Sequence, residues 1–148
     1  MRVSAVPMVV ALLLAGCTSA PTPPPACASQ VRDDAIPEWA RGGFTGDTRM
    51  PHVMGEHGDI VAILFGYPLS QPPRQGVSNK ILWVAREPTQ GDPMRIEARL
   101  AGTGAPVARE VPGGPGPSIV DMPQAGCWRF ALSWFGRTDS VDLSYGAP

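Results

Sequence analysis

The chain has 148 residues, with 12 basic side chains against 13 acidic ones and a formal net charge of −1. That length supports one ordinary domain rather than two, and a near-balanced charge without a basic cluster argues against nucleic acid as a partner. Seventeen glycines and 18 prolines punctuate the chain and argue against long helices.

Residues 1–16 read as an export signal. Arg2 supplies a positive start, residues 8–14 are a continuous apolar run, and Ala15 and Gly16 are small residues suited to a cleavage site. The run is far short of the ~20 residues that a permanent membrane-crossing helix needs. Leu14-Ala15-Gly16-Cys17 resembles the lipobox of bacterial lipoproteins. The resemblance implies that Leu14, Ala15 and Gly16 are read by the signal peptidase. Cys17 would then be lipidated and become the new N-terminus. It also implies a place in the cell envelope, on the extracytoplasmic face of the cytoplasmic or outer membrane. One acyl chain holds a protein only marginally, and the diacylglyceryl group of such proteins meets the need for two.

Residues 17–35 are expected to form a tether. Its run at 18–25 is made of small residues and proline, which cannot build a core and favour an extended polyproline II chain. With Cys17 used for the lipid, Cys27 and Cys127 remain as an even pair in an oxidising compartment, which predicts a disulfide. Closing a loop of about 100 residues would stabilise the fold by about 4.7 kcal/mol in the chain-entropy model.

Residues 36–148 are expected to fold as the domain. Residues 36–40 form its first apolar cluster, and 44–58 are loop-like apart from a short candidate strand at 52–54. Strands are predicted at 59–67, 80–86, 94–100, 107–111 and 118–122. The first two are apolar on both faces: Ile60, Ala62 and Leu64 oppose Val61, Ile63, Phe65 and Tyr67, and Ile81, Trp83 and Ala85 oppose Leu82 and Val84. An antiparallel sandwich strand ordinarily leaves one face polar, so something must cover the second face, either residues 36–54 or a partner. Trp39 is the largest apolar side chain available there, and its truncation to alanine is expected to cost about 3–5 kcal/mol.

The last two strands are expected to form a hairpin around Gly136-Arg137. Pairing Phe135 with Thr138 sets Leu132 against Val141, Phe130 against Leu143 and Trp128 against Tyr145, so that apolar meets apolar throughout.

About seven short strands without a helix predict an all-β, antiparallel sandwich. The stretch at 121–128 resembles the corner that enters the penultimate strand of immunoglobulin-like domains. Here, however, Trp128 follows the cysteine, where those domains carry a tyrosine two residues before it. The resemblance therefore implies architecture and no activity, because sandwiches host many functions.

Candidate chemistry is sparse. His52, Glu56 and His57 are the weak candidates for metal ligands, but their spacing misses the zincin pattern by one residue, and Gly55 and Gly58 oppose the helix that pattern requires. No metal or other cofactor is expected. A small hydrolase would have to bring His52 or His57 to a hydroxyl or thiol, and the expected disulfide removes Cys127 from that role. The preferred expectation is a non-catalytic interaction or structural module that contacts an envelope protein. A glycan- or small-ligand-binding module is the alternative, with Trp39, Phe44, Trp134 and Phe135 as its candidate contact residues.

Overall fold

A computed structural model describes residues 27–87 and 91–147. Leu14, Ala15, Gly16, Cys17 and the proline-rich run at 18–25 lie outside the described residues.

The fold is an all-β sandwich of two antiparallel sheets with four strands each. The first sheet contains β1 (His52–Met54), β2 (Ile60–Leu64), β3 (Lys80–Ala85) and β6 (Pro117–Ile119), in the order β1-β2-β3-β6. The second contains β4 (Met94–Leu100), β5 (Val107–Val111), β7 (Gly126–Trp134) and β8 (Arg137–Tyr145), in the order β5-β4-β7-β8. The three-residue β1 is the short candidate strand at 52–54, and with it the seven or so expected strands become eight. Pairing of β3 with β6 in one sheet, and of β4, β7 and β8 in the other, is the B–E and C–F–G arrangement of immunoglobulin-like sandwiches. In that scheme β2 stands for strand A and β5 for C′, while β1 is an added edge.

Between the sheets, Ala62, Leu64, Ile81 and Trp83 meet Ile96, Phe130, Leu132, Val141, Leu143 and Tyr145. Trp83 and Tyr145 place their polar atoms on partners, whereas the buried Trp134 Nε1 has none among the described residues. Trp83 Nε1 donates to Ser118 Oγ at 3.0 Å, and Tyr145 Oη donates to the Val120 carbonyl at 2.7 Å. Burial pushes the Tyr145 phenol above its ordinary pKa. At the entry to β7, Trp128 Nε1 donates to the Gln124 carbonyl at 3.0 Å. The indole thus makes the upstream backbone bond that the corner tyrosine makes in immunoglobulin domains.

Cys27 and Cys127 form the expected disulfide, with Cα atoms 5.3 Å apart across a separation of 100 residues. It joins the segment before β1 to the start of β7. Arg32 bridges to His52, and Ala35 to Arg49. The described part of the expected tether therefore lies against the sandwich.

The second face of β2 and β3 is covered from within the chain. Pro37 leads into a single 3₁₀ turn, Glu38–Ala40. That turn carries Ile36 and Ala40 onto Val61 and Ile63, with Trp39, Phe44, Leu82 and Val84 packed around them. Ile36 is fully buried, whereas Trp39 is half-buried beneath the Arg86 guanidinium, 5.0 Å from its ring centre.

The β7–β8 hairpin differs from expectation by two residues. Its turn is Phe135-Gly136, with φ of 42° and 71°, and Trp134 pairs with Arg137. Positive φ at both central positions is the type I′ geometry that matches strand twist. Trp128 therefore faces Leu143, Phe130 faces Val141 and Leu132 faces Asp139. A shift of two leaves every side chain on its expected face, so alternation alone did not distinguish the two registers. The observed register sets Arg129 opposite Asp142 and Asp139 opposite Leu132.

Candidate functional site

Asp139 explains the turn between β1 and β2. Its fully buried carboxylate accepts backbone N–H bonds from His57 at 2.9 Å, Asp59 at 3.0 Å and Ser140 at 2.7 Å. A buried carboxylate needs such partners. A Cβ on Gly55 would overlap that carboxylate, so only glycine lets the turn wrap it. The clamp ties the first sheet to the second and divides the weak metal candidates. His57 keeps its ring exposed, with Nδ1 3.7 Å from Asp139 Oδ1 and 3.4 Å from the Thr138 carbonyl. Glu56 leaves the turn toward Arg129 and Ser140. His52 is buried, with Nδ1 2.7 Å from the Met50 carbonyl and Nε2 3.6 Å from Asp34. Among the described residues, no group of three or more His, Cys, Asp or Glu side chains is placed to hold a metal ion.

The four aromatic candidates are not assembled either. Trp134 is core at 2% exposure. Trp39 and Phe44 belong to the cover on the first sheet, where Phe44 stacks on Phe65 with ring centres 6.4 Å apart. Phe135 stands at the β7–β8 turn, 55% exposed and in the left-handed region. A bulky side chain there is strained by about 1–3 kcal/mol, a cost that concentrates at functional positions.

The outer face of the second sheet carries a broad depression that extends toward Phe135. Strand registers place the outward side chains in rows: Glu110, Arg95, Ser133 and Thr138 in one, Ala108, Glu97, Ala131 and Ser140 in the next. The short side chains of Ala108 and Ala131 lie between longer neighbours, which leaves a concavity of about 660 Å³ lined by Arg95, Glu97, Ala108, Glu110, Ala131 and Ser133. A second hollow of about 480 Å³ shares Arg95, Ser133 and Thr138 with it and continues to Phe135 and Arg137. Methyl groups floor this surface, while hydroxyl, guanidinium and carboxylate groups surround it. An apolar floor ringed by a few convergent polar groups is the make-up of ligand-binding hollows.

One flank of this face is fixed by a charge network. Arg129 bonds to Glu56, lies 3.4 Å from Asp142 Oδ1 and donates to Ser140 Oγ at 3.0 Å. Ser140 Oγ also donates to Glu56 Oε2 at 2.6 Å. The Ser140 hydroxyl, and then the Arg129 guanidinium, hold the Glu56 carboxyl below its usual pKa. The same contacts cover the free edge of β8: Glu56 N–H donates to the Ser140 carbonyl, and Asp142 N–H donates to Ser29 Oγ at 3.0 Å. Covered edges resist unwanted strand pairing.

Phe65 and Tyr67 are the exposed aromatics that the sequence reading placed in a strand. β2 ends at Leu64, and both side chains are exposed at its end. The acid-free composition that follows them, residues 65–80, was the available signal. No family model, curated protein or solved structure matches the chain.

Proposed function

We propose that the protein is a non-catalytic, lipid-anchored module of the cell envelope that acts by contact through the outer face of its second sheet. The depression beside the strained, exposed Phe135 is the observation that carries this reading. The lipobox-like residues ending at Cys17 and the oxidised Cys27–Cys127 pair support an extracytoplasmic address. Consumption of Cys127 by the disulfide and the separation of His52 from His57 support a non-catalytic role. A glycan is favoured over an apolar ligand by the hydroxyls of Ser133 and Thr138, the charges of Arg95 and Glu97, and one aromatic ring at the end of the hollow. Sugars offer hydroxyls to the first two and a C–H face to the third.

The test is a photoreactive side chain at position 131 or 135 of the full chain in intact cells. An adduct with an envelope glycan or protein that disappears in Arg95→Glu is the expected result. No adduct from either position would contradict the contact reading. Separately, palmitate labelling should be lost in Cys17→Ala, and labelling that persisted would remove the anchor.

A further inference from the structure

The apolar side chains left exposed on the sandwich are unevenly placed. Phe135 stands at the β7–β8 turn. Phe65 at 45% exposure, Tyr67 at 48% and Val77 all belong to the connection between β2 and β3 at the opposite end, where Ile119, 61% exposed, pairs with Lys80. Residues 65–80 contain no Asp or Glu, but they include Arg74 and Lys80, the single lysine of the chain. Lys80 Nζ lies 5.5 Å above the Phe65 ring, and cations over aromatic faces attract one another.

This connection is held in shape. The buried Asn79 side chain accepts from Ser70 N–H at 3.0 Å and donates to the Ser70 carbonyl at 2.9 Å and to Asp121 Oδ1 at 2.8 Å. Arg74 Nη2 donates to the carbonyls of Gly66 and Tyr67 at 3.3 and 3.2 Å. Leu69 is buried beneath. Phe65 and Tyr67 are therefore presented by an ordered support.

The chain toward Cys17 leaves from this same end. The disulfide pins Cys27 to the start of β7, where Cys127 pairs with Ser144 near the end of β8. Val31 lines a hollow together with Tyr67, Pro68 and Arg74. Ten peptide steps separate Cys17 from Cys27, and they span at most about 33–36 Å when fully extended. A domain of this size has a radius of gyration of about 13–14 Å, so the reach is about one domain diameter. A tether this short gives the domain an effective concentration at the membrane on the order of millimolar. A weak contact then suffices to hold the orientation.

Resting on the lipid-anchor reading, we propose that residues 65–80 form a membrane-facing surface that seats in the headgroup layer of the bilayer carrying the anchor. Aromatic rings with one polar end favour that layer. Arg74 and Lys80 supply cationic groups for lipid phosphates, and within the segment no acidic residue opposes them, Asp121 beside it being engaged by Asn79. Seated in this way, the sandwich points Phe135 away from the membrane and leaves the outer face of the second sheet open.

The full lipidated chain is reconstituted into vesicles of phosphatidylethanolamine and phosphatidylglycerol containing a diazirine phospholipid. It is then irradiated and mapped by mass spectrometry. The expected result is lipid adducts within residues 65–77, several-fold above those at 134–137, on a chain whose Cys17 carries lipid. Tyr67→Glu and Lys80→Glu, each with an intact Cys27–Cys127 bridge, should lower those adducts several-fold. Adducts equal at the two ends, or confined to residues 17–27, on a lipidated chain would overturn this inference and leave the anchor standing. An unlipidated Cys17 would overturn the anchor reading and this inference together. Protection of residues 65–80 from hydrogen exchange that rises with protein concentration in the absence of vesicles would assign the surface to a second copy, and would overturn the membrane assignment.

Discussion

The outer faces of the two sheets solve the same problem in opposite ways. On the first sheet, Val61 and Ile63 point away from the sandwich interior, yet both are fully buried, because residues 36–44 fold back over them. On the second sheet, the matching positions carry Arg95, Glu97, Ala131 and Ser133, all exposed. The first face gains stability from its own chain and gives up that surface for binding. The second stays wet and keeps its surface. Hydrophobic burial is non-directional, so a face apolar enough to need cover is covered by whatever segment lies nearest in the chain. The face that remains open to solvent is the one whose pattern alternates.

Substitutions can break that contrast at its seam, on its covered side or on its open side. The largest effect is expected at the seam. Asp139→Ala leaves three inward backbone N–H groups without their acceptor and should cost about 4 kcal/mol, read as a lower denaturant midpoint. Ile36→Ala removes the fully buried side chain of the cover and should cost about 3 kcal/mol in the same measurement. Trp39→Ala should cost less, about 2 kcal/mol, because the ring is only half-buried. The range expected for a fully buried tryptophan is higher, so a loss near its top would place the ring deeper than the half-buried position under Arg86.

The smallest effect sharpens the contrast on the open side. The Glu56 carboxyl is held below its usual pKa by Ser140 and Arg129. The folded state therefore binds its proton less readily than the unfolded chain. The network's contribution is present above the ordinary value of about 4.3 and is lost as pH falls through the lower folded value. Glu56→Gln should lower stability modestly at neutral pH and flatten the profile across that acid window, so that variant and parent converge at low pH. An unchanged acid limb would show that the network does not bear on stability.

The double-sided apolarity at 60–65 and 81–85 was legible in the sequence and implied a cover that the chain itself provides. The disulfide followed from cysteine arithmetic, and the strand faces followed from period-two alternation. Three things were hidden. The hairpin register was one, since a two-residue shift preserves every face and the choice rests on the Arg129–Asp142 pairing and on Asp139 reaching its clamp. The clamp itself was another, because it joins Asp139 to a turn about 80 residues earlier, a contact with no local signature. The third was the end of β2: Phe65 and Tyr67 continue the apolar alternation, but the strand stops at Leu64. At Gly66, where the chain enters its loop, a Cβ would clash with the Ser78 backbone, so glycine is needed there. Of the candidate contact residues, Phe135 alone reached an exposed site beside a depression. Trp134 was drawn into the core by the same alternation that placed its neighbours.

The contrast between a covered and an open outer face is tested most directly by placing one lysine on each. Ile63→Lys and Ala131→Lys, made in the full chain, are compared by denaturant unfolding. Ile63 lies under the cover, so an unpaired ammonium there should cost about 4 kcal/mol or more or prevent folding. Ala131 faces water on a central strand, and the same side chain should change stability by no more than about 1 kcal/mol. Comparable losses at both positions, or tolerance of lysine at Ile63, would contradict the account.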